Sequence, residues 1–539
     1  MKVCEYIAGF LQLQGVKDIF GIPGSWIMPV WQELDGLLHL CNNEADAAYM
    51  AVGYGKKSRR PGIVITTTGP GITNAVSGIA SAYQDSIPLI HISGCQPVNE
   101  EGSGCFQEES NYDRCFRAKD LLDSITKECF YPTTPIEAVE MIRTCWSIAV
   151  SNRCGSVHIS IPIDIQNAEL GDYRIEPLTE SVGNQSDDSI VGIIFEKPLI
   201  VLGWGAYLSN ASEPIYQLAK KINAPVLSTM KGLSAVQYDS DFHLGTLGFH
   251  FTSFTEEFIC QYGPKSVFIF GSSIGRKDFT DSFVKLLESA NSFCFTDDPA
   301  NINKRLLNVR IFKTNHLIKT ISTLFDIAPT IEQNERMIDL IKKYKEQYIN
   351  NNLKMITRNN TMSSAIALLC NYNMPDVILT ADAGNHYLNA IAFSKPRYAG
   401  SFFVDVGLAA MGIGISETIG MVYSDKTKKY IAITGDGCML MNGNSIYSAV
   451  RDRLPIVFVV FNNSCLGRVR EGQKNMNKIV GSDLGNVNFK EYACAFGIKH
   501  AYQTNSVEIL KYIIDEFLEA PCPYFIEYIC SKDETPLIL

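Results

Sequence analysis

Two polar residues in the last third of the chain have the types and the spacing of metal ligands. Asp436 lies between Gly435 and Gly437 directly after an apolar run, and Asn463 ends a second apolar run. The stretch between the runs has helical length and spacing, so we predict a strand, a helix and a second strand, whose carboxyl ends meet at one sheet edge. Carboxylate and amide oxygens suit Mg²⁺ or Ca²⁺, and the flanking glycines let a phosphate approach the backbone. This pattern predicts a diphosphate that a divalent ion bridges to the protein.

Three segments with alternating helix and strand patterns are predicted to position these residues. At 539 residues the chain is too long for one core, and we predict α/β domains with parallel sheets over residues 1–168, 190–328 and 345–539. The polar stretch at about 166–190 is predicted to be a linker. The first and third segments share one pattern, so we expect two versions of a single architecture.

The composition excludes several classes of function. The net charge of −10 offers no broad basic face to nucleic acid, and the short basic runs at 56–60 and 426–429 are predicted to be solvated loops. No stretch approaches about 18 uninterrupted apolar residues, and the N-terminal sequence lacks a charged leader. The sixteen cysteines form no CxxC pair, which indicates reduced thiols. We therefore expect a cytoplasmic protein with no membrane segment and no nucleic-acid partner.

A second motif lies in the first segment, around Glu44 and the GPG turn at 69–71. Residues 38–94 resemble the pyrimidine-binding half of thiamine-diphosphate (ThDP) enzymes, and the Gly435-Asp436-Gly437 and Asn462-Asn463 motifs support this resemblance. The resemblance extends over essentially the whole chain. It is strongest to the acetolactate (acetohydroxyacid) synthase branch. It implies three doubly wound parallel-sheet domains, namely pyrimidine-binding, central and diphosphate-binding domains. The segments that carry the resemblance to this branch are 15–25, 105–110, 124–127, 153–165, 441–456 and 466–473.

The resemblance implies roles for residues that their types alone leave open. The carboxyl group of Glu44 would hydrogen-bond to N1′ of the aminopyrimidine and promote loss of the C2 proton of the thiazolium. Met411 falls where a large side chain wedges between the two rings, with the carbonyl of Ala409 near the 4′-amino group. Taken alone, Glu44 is an ordinary charge in a first helical turn and Met411 is core filler. The implied catalytic residues are Glu44 and Met411.

The implied cofactor site gathers residues from both outer segments. Mg²⁺ is the implied metal, with Asp436, Asn463 and Cys465 as its ligand positions. The implied cofactor-binding residues are Glu44, Gly384, Asn385, His386, Ala409, Met411, Gly435, Asp436, Gly437, Cys438, Asn463, Cys465, Leu466 and Gly467.

The substrate positions depart from the pattern of the synthases. Asn43 stands where this branch has a histidine, Arg468 stands where it has a methionine, and Gly472 stands where it has the tryptophan that helps to choose the second keto acid. Gln107 and Lys127 match positions that line the substrate channel. Asn43, Gln107, Lys127 and Arg468 are therefore the substrate candidates. A solvated Lys127 and an exposed surface Arg468 are the competing interpretations.

The resemblance implies a ThDP- and Mg²⁺-dependent carboligase. Such an enzyme decarboxylates a 2-keto acid, with pyruvate as the first candidate, and transfers the acyl carbanion equivalent to a second carbonyl. A simple 2-keto acid decarboxylase, a C–C lyase, and a carboligase with a keto-sugar acceptor stay open as alternatives. A non-catalytic ThDP-binding homologue is disfavoured because such a protein has no need of Glu44.

Two further expectations concern a second cofactor and the assembly. Residues 228–236, 243–250 and 296–304 follow the synthase segments that bind FAD, but 271–279 matches the flavin turn only loosely, so bound FAD is left open. Glu44 and the diphosphate site belong to different domains and, in the family, to different chains. A homodimer or homotetramer with active sites between subunits is therefore implied.

Overall fold

The computed structural model describes residues 1–178, 189–238, 240–248, 253–276, 278–306, 308–332, 335–356, 360–372 and 374–534. These residues form three six-stranded parallel sheets with helices between the strands, so the predicted α/β class with doubly wound sheets is confirmed. Each sheet falls inside one of the three predicted segments, whose boundaries stay predictions. Of the predicted linker, residues 179–188 lie outside the described residues.

The first domain has the strand order β2-β1-β3-β4-β6-β5, and every pair is parallel. Its inner strands are buried along their whole length, as expected for a parallel sheet that helices cover on both sides. The elements are α1 (Val3–Leu13), β1 (Ile19–Gly21), α2 (Met28–Glu33), β2 (Leu38–Leu40), α3 (Glu44–Ser58), β3 (Gly62–Thr66), α4 (Pro70–Asp85), β4 (Leu89–Cys95), α5 (Ala118–Leu122), β5 (Cys129–Phe130), α6 (Pro135–Val150), β6 (Ser156–Pro162) and α7 (Ile163–Asn167).

The central domain follows with a different strand order, β12-β11-β10-β7-β8-β9. A long helix, α13, connects it to the third domain. The elements are β7 (Pro198–Leu202), α8 (Trp204–Leu208), α9 (Ser212–Lys221), β8 (Val226–Ser228), β9 (His243–Thr246), α10 (Ser253–Tyr262), β10 (Ser266–Phe270), α11 (Asp281–Ser289), β11 (Asn291–Thr296), β12 (Val309–Lys313), α12 (Leu317–Ile327) and α13 (Glu335–Ile356).

The third domain has the order β14-β13-β15-β16-β18-β17, which repeats the order of the first domain strand for strand. The elements are α14 (Met362–Leu369), β13 (Val377–Ala381), α15 (Asn385–Phe393), β14 (Phe402–Val404), α16 (Ile413–Ser424), β15 (Lys429–Gly435), α17 (Asp436–Asn442), α18 (Ile446–Arg451), β16 (Ile456–Asn462), α19 (Gly467–Asn475), α20 (Phe489–Ala495), β17 (His500–Thr504), α21 (Val507–Glu519) and β18 (Tyr524–Ile529).

Helices α3 and α16 join the first and third domains through close backbone contact. A Cβ at Gly53 would lie 1.9 Å from the carbonyl oxygen of Glu417, and a Cβ at Gly420 would lie 1.8 Å from that of Met50. No other residue type fits at either position without moving a backbone. The two glycines therefore set the distance between the domains.

The prediction of a solvated loop at 56–60 is wrong for its first three residues. Helix α3 extends to Ser58, and the side chain of Lys56 is only 2% exposed. Lys57 is half-buried and donates to the carbonyl of Gly400 at 3.3 Å. The carboxylates that surround Lys56 come from distant parts of the chain, so the local sequence gives no sign of them.

Among the described residues, no helix is long and apolar enough to cross a membrane.

Candidate active site

The carboxyl ends of β13, β15 and β16 meet at a cavity of about 300 Å³ in the third domain. These strands are neighbours in the sheet and the chain order reverses between β13 and β15, which is where open α/β sheets place ligands. The predicted residues that line the cavity are Gly384, Asn385, His386, Met411, Gly435, Asp436, Gly437, Cys438, Asn463, Cys465, Leu466, Gly467 and Arg468.

The predicted metal ligands lie together at one end of this cavity. Asp436 is the first residue of α17, and its Oδ2 accepts from the backbone N–H of Asn463 at 3.1 Å. The Oδ1 of Asn463 accepts from the N–H of Cys465 at 3.2 Å. Burial raises the pKa of Asp436. Within the described residues no three His, Cys, Asp or Glu side chains are grouped to hold a metal, so Asp436 would share a metal with amide and backbone oxygens.

Two buried polar atoms at the cavity have no hydrogen-bond partner among the described residues. They are Oδ1 of Asn385 and Nε2 of His386. Burial lowers the pKa of His386 to about 4, so its ring is neutral at physiological pH. Unpaired buried polar atoms are costly, and a polar ligand at this point would satisfy both.

Glycines hold the cavity open beside these atoms. A Cβ at Gly435 would lie 2.7 Å from Cε1 of His386, and a Cβ at Gly467 would lie 3.0 Å from Nδ2 of both Asn385 and Asn463. The backbone of Gly384 has φ 150°, which favours glycine. The lining therefore leaves space for a bulky group against the backbone, as a diphosphate requires.

Met411 lies at the end of the loop 405–412, which precedes α16. Its Cε would be 2.7 Å from a Cβ at Gly437, so the side chain reaches across the cavity. Ala409 has a left-handed backbone, with φ 53°. At the end of the loop, the N–H of Gly412 donates to Oδ1 of Asp382 at 3.2 Å and its carbonyl accepts from Nδ2 of Asn442 at 3.3 Å. These two hydrogen bonds fix the carboxyl end of the loop.

Glu44 and Asn43 lie in the first domain and do not line this cavity. Glu44 is the first residue of α3, and its Oε2 accepts from Nδ2 of Asn74 at 2.9 Å. Asn43 is the N-cap of the same helix, and its Oδ1 accepts from the N–H of Asp46 at 2.8 Å. The side chain of Asn43 is therefore engaged in capping within the chain.

The other three substrate candidates lie in different surroundings. Arg468 lines the mouth of the cavity, 58% exposed, with its Nη1 3.2 Å from Oε2 of Glu471. Gln107, at φ 55°, packs against the backbone of Gly69 in the first domain. The ammonium of Lys127 donates to three backbone carbonyls in the last turn of α6 and just after it, at 2.6–3.0 Å. Of the four candidates, the chain brings Arg468 alone to the cavity.

The sequence prediction missed several lining residues, which include Met362, Ala383, Tyr387, Phe461 and Cys530. Cys530 follows the last strand, β18, which pairs with β16 through a long-range crossover. Met362 comes from the start of α14. No local pattern marks either residue, since only the strand order and helix packing bring them to the cavity.

A second cavity of about 440 Å³ lies between the first and central domains. Thr229, Lys231, Asp297 and Asp298 line it, and they belong to two of the segments that resemble FAD-binding segments. Residues 249 and 250 of the third such segment lie outside the described residues. Lys231 is paired with Asp85.

The cations that line the second cavity are paired with carboxylates of the same chain. Arg153, the other cation in the lining, has its Nη1 3.2 Å from Oδ2 of Asp298. Both described cations in the lining are therefore already paired, and Asp297 adds a further carboxylate. Bound FAD therefore stays open.

Comparison with known proteins assigns all three domains to one family. Residues 1–114 match the N-terminal thiamine pyrophosphate (TPP, another name for ThDP) binding domain of thiamine pyrophosphate enzymes, residues 195–317 match their central domain, and residues 382–528 match their C-terminal TPP binding domain. Together the three matches cover most of the chain.

Several similar proteins of known name are acetolactate synthases. The probable acetolactate synthase large subunit of Methanocaldococcus jannaschii is 28% identical over 99% of this chain and 93% of its own length. The acetolactate synthase isozyme 2 large subunit of Escherichia coli is 27% identical over 98% and 95%. A solved structure of a putative thiamin diphosphate-dependent enzyme from Mycobacterium smegmatis shares the fold, with a TM-score of 0.78 over 98% of this chain and 99% of that one at 18% identity.

Proposed function

The chain belongs to the thiamine-diphosphate-dependent enzymes and is acetolactate-synthase-like, and we propose that it is a Mg²⁺-dependent carboligase. It would decarboxylate a 2-keto acid, with pyruvate as the first candidate, and join the remaining acyl carbon to the carbonyl carbon of a second substrate. ThDP, when bound, supplies the electron sink for the electron pair that is released as CO₂ leaves. The cytoplasmic location stays part of this proposal.

The cavity of the third domain is the observation that carries the proposal. It combines an aspartate and an amide oxygen with two unpartnered buried polar atoms and glycines that leave the backbone accessible. Asp436, Asn463 and a carbonyl at Cys465 would hold Mg²⁺, which prefers oxygen ligands and keeps positions free for phosphate oxygens. Asn385 and His386 would bind the diphosphate, Ala409 and Met411 would orient the aminopyrimidine, and Gly384, Gly435, Gly437, Cys438, Leu466 and Gly467 would complete the lining.

Glu44 is the proposed acid and base. Asn74 donates to its Oε2, so Oε1 is the oxygen left to hold and transfer a proton. Glu44 does not line the cavity of its own chain, so we propose a homodimer or homotetramer in which it serves the cavity of a second copy. Exposed apolar side chains of the third domain support such contacts, namely Leu408, Leu440, Met441 and Tyr447, each 40–59% exposed.

Labelled pyruvate tests this function. Purified protein with ThDP, Mg²⁺ and ¹³C-pyruvate should release labelled CO₂ and form labelled acetolactate, as detected by NMR. Acetaldehyde as the sole carbon product would instead identify a simple decarboxylase. Absence of turnover with pyruvate and with a panel of other 2-keto acids, each offered with and without aldehydes and keto-sugars, would refute the carboligase.

Arg468 favours a second candidate, a carboligase with a polar or anionic acceptor such as a keto-sugar. The guanidinium lies at the mouth of the cavity, where it can pair with a carboxylate or phosphate of an incoming acceptor. Arg468→Met should then raise KM for the acceptor about tenfold without changing the KM for the 2-keto acid. Equal KM values for the acceptor in both proteins would exclude this contact. Asn43, Gln107 and Lys127 are kept as weaker substrate candidates.

A further inference from the structure

Five charged residues form a buried cluster where the three domains meet. Lys56 and Asp85 come from the first domain, Lys231 from the central domain, and Asp405 and Glu417 from the third. The side chains of Lys56, Asp85, Asp405 and Glu417 are at most 5% exposed, and that of Lys231 is 14% exposed. We call these five residues the charge cluster. None of them has a role in the proposed reaction.

Lys56 is the central cation of the charge cluster. Its Nζ donates to Oε1 and Oε2 of Glu417 at 2.8 and 2.9 Å, and it lies 3.8 Å from Oδ2 of Asp85 and 3.8 Å from Oδ2 of Asp405. Lys231 pairs with the other oxygen of Asp85. Removal of one partner from such a buried network leaves an uncompensated charge, which is strongly unfavourable.

Asp405 connects the charge cluster to the loop 405–412. Its Oδ1 accepts from the N–H of Gly407 at 3.1 Å and from the N–H of Ala409 at 3.3 Å, while its Oδ2 accepts from Oγ of Ser81 at 2.9 Å. A Cβ at Gly407 would lie 1.8 Å from Oδ1 of Asp85, so the loop backbone packs directly on the cluster. The carboxylate of Asp405 thus binds the backbone amides of Gly407 and Ala409, which precede Met411 in the loop.

The balance of charge keeps Asp405 ionised. Burial alone would raise its pKa, but the positive charges of Lys56 and Lys231 outweigh burial and lower it. Three carboxylates share two ammonium groups, which leaves one negative charge in excess. Burial raises the pKa of Glu417 to about 8 and also raises that of Asp85, so Asp405 is the one carboxyl of the three whose pKa is lowered. Asp405 therefore presents a full negative charge to the loop amides, and charge-assisted hydrogen bonds are the stronger kind.

We propose that Lys56 and Asp405 are positioning residues for the cofactor, which hold Ala409 and Met411 in their binding geometry before ThDP arrives. The proposal rests on the proposed function, since it concerns the same site. A left-handed residue such as Ala409 is strained unless its surroundings hold it in place. The charge cluster supplies this restraint at the start of the loop, and Asp382 with Asn442 supplies it at the end. A preorganised loop spares the cofactor the entropic cost of ordering it.

Titration of ThDP into purified Asp405→Asn and Lys56→Met proteins tests the proposal. We expect the Kd for ThDP, followed by quenching of intrinsic fluorescence with Mg²⁺ present, to rise about tenfold or more. With saturating ThDP, kcat should return to within a few-fold of the original value, and Lys56→Arg should restore part of the affinity. Asp18→Asn is the matched control, because it removes a half-buried carboxylate that pairs with His39 at 2.8 Å, away from the loop.

A merely structural role for the charge cluster predicts a different pattern. The melting temperature would then fall while the Kd for ThDP stays within about twofold of the original value, and this result would overturn the proposal. Hydrogen exchange on the unmutated protein decides the matter even if both variants fail to fold. The amides of Gly407 and Ala409 should be protected before ThDP is added, whereas rapid exchange without ThDP would contradict preorganisation.

Asp436→Asn separates failure of this inference from failure of the proposed function. If Asp436→Asn weakens ThDP binding and Asp405→Asn does not, the charge cluster has no positioning role while the site assignment holds. If neither substitution affects ThDP binding, the assignment of the cavity itself is wrong, and the inference fails with it.

Discussion

The first and third domains share one strand order but use it differently. In the third domain, the ends of the central strands open into the cavity that holds Asp436 and Asn463. In the first domain, the segment after β4 folds back over the corresponding strand ends. The side-chain amide of Gln96 accepts from the backbone N–H of Glu109 at 3.0 Å and donates to its carbonyl at 3.1 Å. The carboxylate of Glu109 accepts from Oγ of Ser160, in β6, at 3.0 Å. The same strand order thus accompanies a cavity in the third domain and a hydrogen-bonded segment in the first.

The two domains also place their chemical groups at equivalent points. Helices α3 and α16 follow the equivalent strands β2 and β14 and pack against each other. Glu44 opens α3, and the loop of Ala409 and Met411 leads into α16. The two domains of like architecture therefore have different roles. The proposed proton-transfer group lies in the first domain, and the proposed diphosphate and metal site lies in the third.

The largest expected effect concerns the first domain. Glu44→Gln keeps the hydrogen bond from Asn74 but cannot exchange a proton, so turnover should fall by about 10²–10⁴. The Kd for ThDP should stay within a few-fold, as measured by fluorescence titration. Glu137→Gln is the control, because Glu137 lies in the first turn of α6 and caps that helix without facing a site. Turnover within a few-fold of the original enzyme would remove Glu44 from the chemistry.

A substitution at the proposed metal site of the third domain should weaken the binding of Mg²⁺ and ThDP rather than impair proton transfer. Asp436→Asn removes the carboxylate from the proposed metal site, so the apparent affinities for Mg²⁺ and ThDP should each fall about 10–100-fold. Calorimetric titration measures both. Asp376→Asn, which affects an exposed carboxylate paired with Lys429 at the start of the same sheet, should leave them unchanged. An unaltered Mg²⁺ requirement in Asp436→Asn would place the metal elsewhere.

Glu417, in the charge cluster where the domains meet, should make the stability of the protein depend on pH. The pKa of this carboxyl rises from 4.5 to about 8 on folding, chiefly because it is buried, with Lys56 opposing this rise and Asp405 and Asp85 adding to it. The folded state holds the proton more tightly, so this contribution to stability is fully present below about pH 4.5 and is lost as pH rises through about 8. Glu417→Gln stays neutral, and its melting temperature relative to the original protein should therefore rise with pH across this window. A constant difference across the window would show that Glu417 does not carry this proton.

The smallest expected effect concerns Asn43, where substitutions distinguish a role in capping α3 from contact with the substrate. The side chain of Asn43 caps helix α3, whereas Gly412, the N-cap residue of the equivalent helix α16, has no side chain to do so. Asn43→Ala should cost about 1 kcal/mol of stability, and Asn43→Ser should restore most of it. If Asn43 only caps the helix, kcat and KM of Asn43→Ser should match those of the original enzyme. A stable Asn43→Ser protein with reduced kcat would show contact with the substrate.

Much of the fold follows from local patterns. The buried strands β15 and β16 are largely apolar runs that end next to Asp436 and Asn463, and the sequence predicted both. The short edge strands β2, β5 and β9 and the outer strands β12 and β17 escaped prediction, because two to five residues at partly exposed positions carry little pattern. The stretch between the two strands, predicted as one helix, forms two helices, α17 and α18.

The sequence by itself determined the parallel α/β architecture, the repeat of one pattern in the outer domains, and the pairing of Asp436 with Asn463, because each depends on short runs and a local crossover. Tertiary structure alone decided the burial of Lys56 and the arrival of Met362 and Cys530 at the cavity. A buried lysine is stable only beside counter-charges, and those of Lys56 lie 29, 349 and 361 positions away in the chain. No local window can contain such partners, so the charge cluster exists only in the folded protein.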